Sequence, residues 1–278
     1  MCNFLSAIVL KNLDVIWDYK CPDNHEQLIK KYNLKGSKSN CFNEAFCKVE
    51  FSMISPQNND LKPNDIGNWR VNLGGDVPDW FDKEIITNKL WAIISNMFVQ
   101  GEKELLEKGC FILLDTALVE EVRSCRIQYM LGKSVIKNLR ENSTVENMRN
   151  LSFIKTIWDN SSISSMEGNS IVGNMRDYSK IKNIRNYSII NSLYKYTTIE
   201  NLYENSTVGN MYEYSLIKNI WNNSKVFTML DNSVIHHLWD NSEIKNMEDN
   251  SMIVNMHNNS KIYNMRKDFK VKNDYRPK

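Results

Sequence analysis

Residues 142–267 repeat one nine-residue pattern of polar and apolar positions fourteen times. Counted from Asn142, position two is Ser in thirteen units and Thr197 in the other. Position four is Val or Ile in every unit, from Val145 through Ile217 to Ile262, and position seven is Met, Ile or Leu, from Met148 to Met265. Position six is mostly Asn. Weaker units precede the array in SCRIQYMLG and KSVIKNLRE, so its start is expected near Asp115.

The period fits stacked strands better than a helix. Nine residues make two and a half helical turns, so successive units would throw their apolar pairs onto opposite faces. Ser, Asn, Thr, Val and Ile are also poor helix formers. In a strand, positions two and four share one face. Position seven points inward only if the chain bends between four and seven. Asn at position six suits such a bend, because Asn tolerates left-handed backbone. A Ser hydroxyl at position two is small enough to bond within its own turn.

One unit is too short to enclose a core. Two units make a flat, two-sided coil of eighteen residues, and three make a triangular one. Aromatic spacing favours eighteen. Tyr178, Tyr196 and Tyr214 stand eighteen apart at position one; Tyr203, Trp221 and Trp239 do so at position eight, and Tyr194 and Tyr212 repeat the interval. A parallel solenoid stacks like on like, with coils about 4.8 Å apart. Fourteen units then give seven coils. The expected fold class is an α+β N-terminal cap domain followed by a parallel β-solenoid. The expected domains are 1–114, 115–269 for the solenoid, and a polar tail at 270–278.

Residues 1–114 show no repeat. FLSAIVL, DVIWDY, FCKVEFSM and NWRVNL read as strands. DNHEQLIKKYNL reads as a short helix with Asn24 as cap and Gln27 three residues on. ISPQNNDLKPNDIGN reads as a polar loop, and CFILL as the strand entering the first coil. From Pro78 to Gly109 the chain reads as one long helix, with Trp80, Ile85, Leu90, Trp91, Ile94 and Phe98 facing inward. A solenoid end exposes unpaired strand edges, so the simplest role for this region is a cap.

Charge changes the picture little. The chain carries 35 Lys+Arg and 33 Asp+Glu. Neither half forms the basic stripe of a nucleic-acid binder. The six cysteines have no CxxC spacing and none lies beyond Cys125, so free thiols in a reducing compartment are expected. The start MCNFLSAIVL lacks a basic n-region and a cleavage site, and no apolar run reaches spanning length. The N-x-[ST] triplets, as at Asn142 and Asn160, are therefore repeat chemistry.

Candidate chemistry is sparse. Calcium β-rolls also use nonapeptides but need Gly-Gly-x-Gly-x-Asp turns; MRDYS and LWDNS offer one acid each, so no metal is expected. Cys2 would be an N-terminal nucleophile if Met1 were removed, with His25 as partner; a buried strand start is the competing reading. His236 and His237 occupy positions five and six, where convergence is not required. NLGGD at Asn72–Asp76 reads as a hairpin turn. Tyr194 and Tyr196 are two apart, as are Tyr212 and Tyr214, and Arg176 and Tyr178. Together they make a strip of five tyrosines and an arginine along one edge. Tyr203, Trp221 and Trp239 make a second set. Tyr, Trp and Arg are the types enriched at binding hot spots; the alternative is a ladder that only stabilises the coils.

The motifs MCNFLSAIVLKNLDVIW, NHEQLIKKYNL, KVEF and NWRVNLGGDVPDWFD, followed by a nonapeptide array, resemble a family of uncharacterised proteins from phages and mobile elements. Asn24 stands where that family has Ser in a Ser-His-Glu stretch. The resemblance spans nearly the whole chain. It implies a cytoplasmic, phage-type origin, and it supplies no activity. The expectation is a non-enzymatic binding protein that presents an aromatic-edged solenoid to a protein or small ligand, with a component of host defence as one target. The alternatives are an N-terminal-cysteine hydrolase and a phage structural or assembly component. No cofactor is expected, nor a membrane or nucleic-acid partner; self-association through the aromatic edge is.

Overall fold

The computed structural model describes residues 5–18, 24–34, 42–43, 45–54, 63–73, 77–266 and 268–277. The chain forms two compact units, 1–98 and 99–278.

In the first unit, β1 (Leu5–Leu10), β2 (Val15–Ile16), β3 (Phe42–Asn43), β4 (Phe46–Met53) and β5 (Trp69–Leu73) form an antiparallel sheet in the order β2-β1-β4-β3, with β5 also on β4. Helix α1 (His25–Lys31) starts as the sequence predicts: the Asn24 side chain accepts from the Gln27 N–H at 3.0 Å. Trp69 stacks on Phe51 at 5.1 Å. Its indole N–H, which would be costly to bury unpaired, donates to the Pro63 carbonyl at 2.8 Å.

Helix α2 (Lys83–Ser95) is much shorter than the sequence reading. It is capped by Asp82, and it buries Ile86, Leu90 and Ile94 while Ile85 faces solvent. The chain then turns through Gly101 at φ 66°, and Glu102–Glu107 is a strand. EKELLE is strong helix-forming sequence. Parallel pairing with Leu118–Arg123 overrides that propensity. The ladder therefore starts before Asp115.

The second unit is a parallel β-solenoid. Its two sheets hold eleven and ten strands, so about ten coils stack at the eighteen-residue period. Ile127, Val145, Ile163, Ile181, Ile199, Ile217, Ile235 and Ile253 align in register in one sheet. Position four and position seven are fully buried from Ile136 to Met256, apart from 1% at Ile163. Position two is buried too, as at Ser143, Thr197 and Ser215. The expected tail is also a strand, Lys270–Tyr275 on Met252–His257, because Val271 at position four and Asn273 at position six keep the period. The count of seven coils thus becomes about ten, extended at both ends.

The inward bend differs from expectation. Position five is skipped in the pairing, as Ile199↔Ile217 is followed by Asn201↔Asn219. Positions four and seven face inward across that irregularity, without left-handed backbone at position six. The position-six asparagines instead form side-chain ladders: Asn219 donates to Asn201 at 3.0 Å, and Asn201 to Asn183 at 3.1 Å.

Left-handed backbone sits at the corners. Glu213 (position nine) and Tyr214 (position one) have φ 46° and 60°, and the Ser215 N–H donates to the Tyr212 carbonyl at 3.0 Å. Two successive positive φ values closed by that bond resemble a type I′ turn. Most units have Asn, Asp or Glu at position nine and Asn at position one, and Asn and Asp visit this region most readily. Some position-two hydroxyls bond within the turn, as Ser188 does to the Arg185 carbonyl at 2.7 Å.

Candidate functional site

The predicted aromatic residues all lie at these corners, but on two opposite edges. Arg176, Tyr178, Tyr194, Tyr196, Tyr212 and Tyr214 lie on turns leading from the ten-stranded sheet into the eleven-stranded one. Tyr203, Trp221 and Trp239 lie on turns leading back.

The first edge carries two columns. Tyr178, Tyr196 and Tyr214 stack in series, with centroids 5.3 and 5.4 Å apart and ring planes within 8° and 11°. Their backbones are tied coil to coil: Tyr196 N–H donates to the Glu213 carbonyl, and Tyr214 N–H to the Asp231 carbonyl, both at 3.2 Å. The second column runs through position eight. Arg140 lies over Trp158 at 4.8 Å, and Arg176 is sandwiched between Trp158 at 5.3 Å and Tyr194 at 4.6 Å. Tyr194 then stacks on Tyr212 at 5.0 Å. Alternating cation and ring is favourable, because each guanidinium meets a ring face. Sequence reasoning missed Arg140 and Trp158. They obey the same spacing, but the alternation of residue types hid the column.

The four position-one tyrosines, Tyr187 on the opposite edge (φ 63°) among them, sit where the backbone disfavours them. Tyr178, Tyr196 and Tyr214 have φ 64°, 56° and 60°. A bulky residue in this region is a backbone outlier, at a cost of roughly 1–2 kcal/mol. Each is also about half exposed, at 55%, 51% and 55%. Asn occupies this position in most other units at lower backbone cost. Parallel aromatic contacts give back about 0.5–1.5 kcal/mol per pair, so a net benefit to the fold is small.

The second edge continues past the predicted residues. Arg185 lies over Tyr203 at 5.3 Å. Trp221 and Trp239 stack at 4.9 Å with planes 1° apart. His257 then lies 3.6 Å from Trp239, and Tyr275 lies 5.1 Å from His257. His257 and Tyr275 carry the same eighteen-residue signal at position eight. Burial, then the charge of His237, pushes the His257 pKa down.

The catalytic candidates fare differently. Cys2 lies outside the described residues. His25 opens α1 and has Nε2 3.0 Å from the Val49 carbonyl oxygen. Cys47, Cys110 and Cys125 are buried, and burial pushes Cys47 up to about 12, far from a reactive thiolate. Residues 74–76 of NLGGD lie outside the described residues; Asn72 bonds to Ser52 Oγ at 2.7 Å. His237 Nδ1 lies 3.3 Å from Asn255 Nδ2, while burial, then His237, lowers His236. Among the described residues, no group of three His, Cys, Asp or Glu is placed to hold a metal. Nor, among them, is any helix long and apolar enough to cross a membrane. No protein-family model, curated protein or solved structure matches the chain.

Proposed function

We propose that this protein is a non-enzymatic binding scaffold whose tyrosine edge receives a protein partner. The carrying observation is the column Tyr178–Tyr196–Tyr214: three half-exposed rings, stacked, at left-handed turn positions where Asn is cheaper. Strained backbone that brings the fold little is a pointer to function. The stack also orders the rings before any partner arrives, which lowers the entropy lost on binding. Both faces of the Tyr196 ring, and one face each of Tyr178 and Tyr214, are covered by a neighbouring ring, so the column offers mainly rims and hydroxyls outward. A sugar needs an open face, whereas a protein surface can bond to hydroxyls and pack on rims. The resemblance to phage and mobile-element proteins is the reason for expecting that partner in a bacterial host, with a component of its defence as one class.

The test replaces Tyr196 and Tyr214 by Asn, the residue that this position carries elsewhere. Partner capture from host lysate, followed by binding measured with the purified partner, is compared between wild type and Tyr196→Asn/Tyr214→Asn. Sedimentation velocity reads self-association alongside. A loss of at least about 30-fold in affinity is expected, as two hot-spot residues are removed, with melting temperature unchanged or raised. Full binding by the double variant together with a collapsed melting temperature overturns the reading and makes the column a structural ladder.

A further inference from the structure

Away from both edges, the eleven-stranded sheet carries a hollow of about 330 Å³ on its outer face. Its lining comes from four consecutive coils in register. Ser162, Lys180, Thr198 and Leu216 form the position-three column. Ser164, Lys182, Glu200 and Lys218 line it from position five. Three lysines therefore face one glutamate.

The existing pairs leave two of those charges over. Lys218 donates to Glu200 at 3.1 Å, and Ser164 donates to Glu146 at 3.1 Å. The ammonium groups of Lys180 and Lys182 are exposed, and among the described residues they have no hydrogen-bond or ion-pair partner. They extend from the same strand, two residues apart, so both like charges border the same hollow. The hydroxyls of Ser162 and Thr198 flank Lys180 on the coils before and after it. Two ammonium groups with hydroxyl donors in a concave site match the charge and donor needs of a tetrahedral oxyanion.

We infer that this hollow binds a phosphate group, with Lys180 and Lys182 as its cationic pair and Ser162 and Thr198 as neutral donors. Glu200, held by Lys218, stays at the rim and disfavours a second anionic group there. The phosphate can belong to a free small molecule or to a phosphorylated side chain of another protein.

Isothermal titration at low ionic strength uses four probes: inorganic phosphate, pyrophosphate, a phosphoserine peptide and the same peptide without phosphate. The variant is Lys180→Thr/Lys182→Ser, which introduces residues found at the same positions in neighbouring coils (Thr198 and Ser164). The control is Lys155→Gln/Lys261→Gln, which removes two cations from the other sheet. Saturable binding of at least one phosphorylated probe is expected, weakened tenfold or more in the variant and unchanged in the control. Binding of inorganic phosphate assigns a small-molecule ligand, and binding of the phosphopeptide alone assigns a protein source. Absence of saturable binding to all probes, or an equal loss in variant and control, overturns the inference.

Discussion

Trp239 and His257 are stacked with ring centroids 3.6 Å apart and planes 7° from parallel. They stand eighteen residues apart at position eight, so the coil period itself brings them face to face. His237 stacks on Trp239 from position six, 5.8 Å away, and Tyr275 covers His257 from the following coil. A second histidine thus lies 5.8 Å from the first, and His257 stands between the rings of Trp239 and Tyr275.

That arrangement makes the last coils sensitive to acid. Burial lowers the pKa of His257 and of His236, with the charge of His237 adding to both and Lys218 adding to His236. Among the described residues no carboxylate bonds to either imidazole. The unfolded chain takes up these protons near pH 6.5 and the folded chain resists until a lower pH. Stability is therefore complete above about pH 6.5 and falls as the pH drops toward the folded-state values. Thermal unfolding at pH 7.5 and 5.5 should show a lower midpoint in acid, and the difference should shrink in His257→Phe. An undiminished difference in that variant would assign the effect elsewhere.

The corners yield a backbone prediction. Asn222 and Asn223 have φ 50° and 60°. A β-branched side chain in left-handed backbone costs roughly 1–2 kcal/mol, whereas glycine enters that region freely. Asn223→Val should lower stability to chemical denaturation by that amount, and Asn223→Gly should leave it nearly unchanged. Equal effects of the two substitutions would refute the left-handed turn at this position.

Much of this was legible because the solenoid enforces identity at the same place in every coil. Val145 and Met148 announce the buried pair, and Tyr178, Tyr196 and Tyr214 announce the period, since only an eighteen-residue coil stacks them. The misreadings have local causes. Asn at position six looked like turn chemistry, yet Asn201 and Asn219 use their amides to bond along the sheet. EKELLE looked helical because its propensity is helical, and only the pairing partner Leu118–Arg123 makes it a strand. His257 and Tyr275 escaped because residue type changes along their column while position does not. The hollow at Lys180 and Lys182 was invisible, since its polarity depends on which neighbouring charges are already paired.

The strongest test of the inside–outside assignment lies at two adjacent residues. Ile217 is fully buried, in register between Ile199 and Ile235. Lys218 points outward and donates to Glu200 at 3.1 Å. Ile217→Asp places a carboxylate among aliphatic side chains with no partner, a severe class of change expected to cost about 4 kcal/mol or more. Ile217→Val, the residue found at position four in Val145 and Val226, should cost only about 0.5–1.5 kcal/mol. Lys218→Asp removes one surface ion pair and sets a second acid beside Glu200, with an expected loss of about 1 kcal/mol. Circular dichroism followed through urea unfolding ranks the three variants. The expected order of stability places Ile217→Val and Lys218→Asp close to wild type and Ile217→Asp far below. Comparable losses for Ile217→Asp and Lys218→Asp would mean that positions four and five do not face opposite sides of the sheet, and the solenoid register would have to be redrawn.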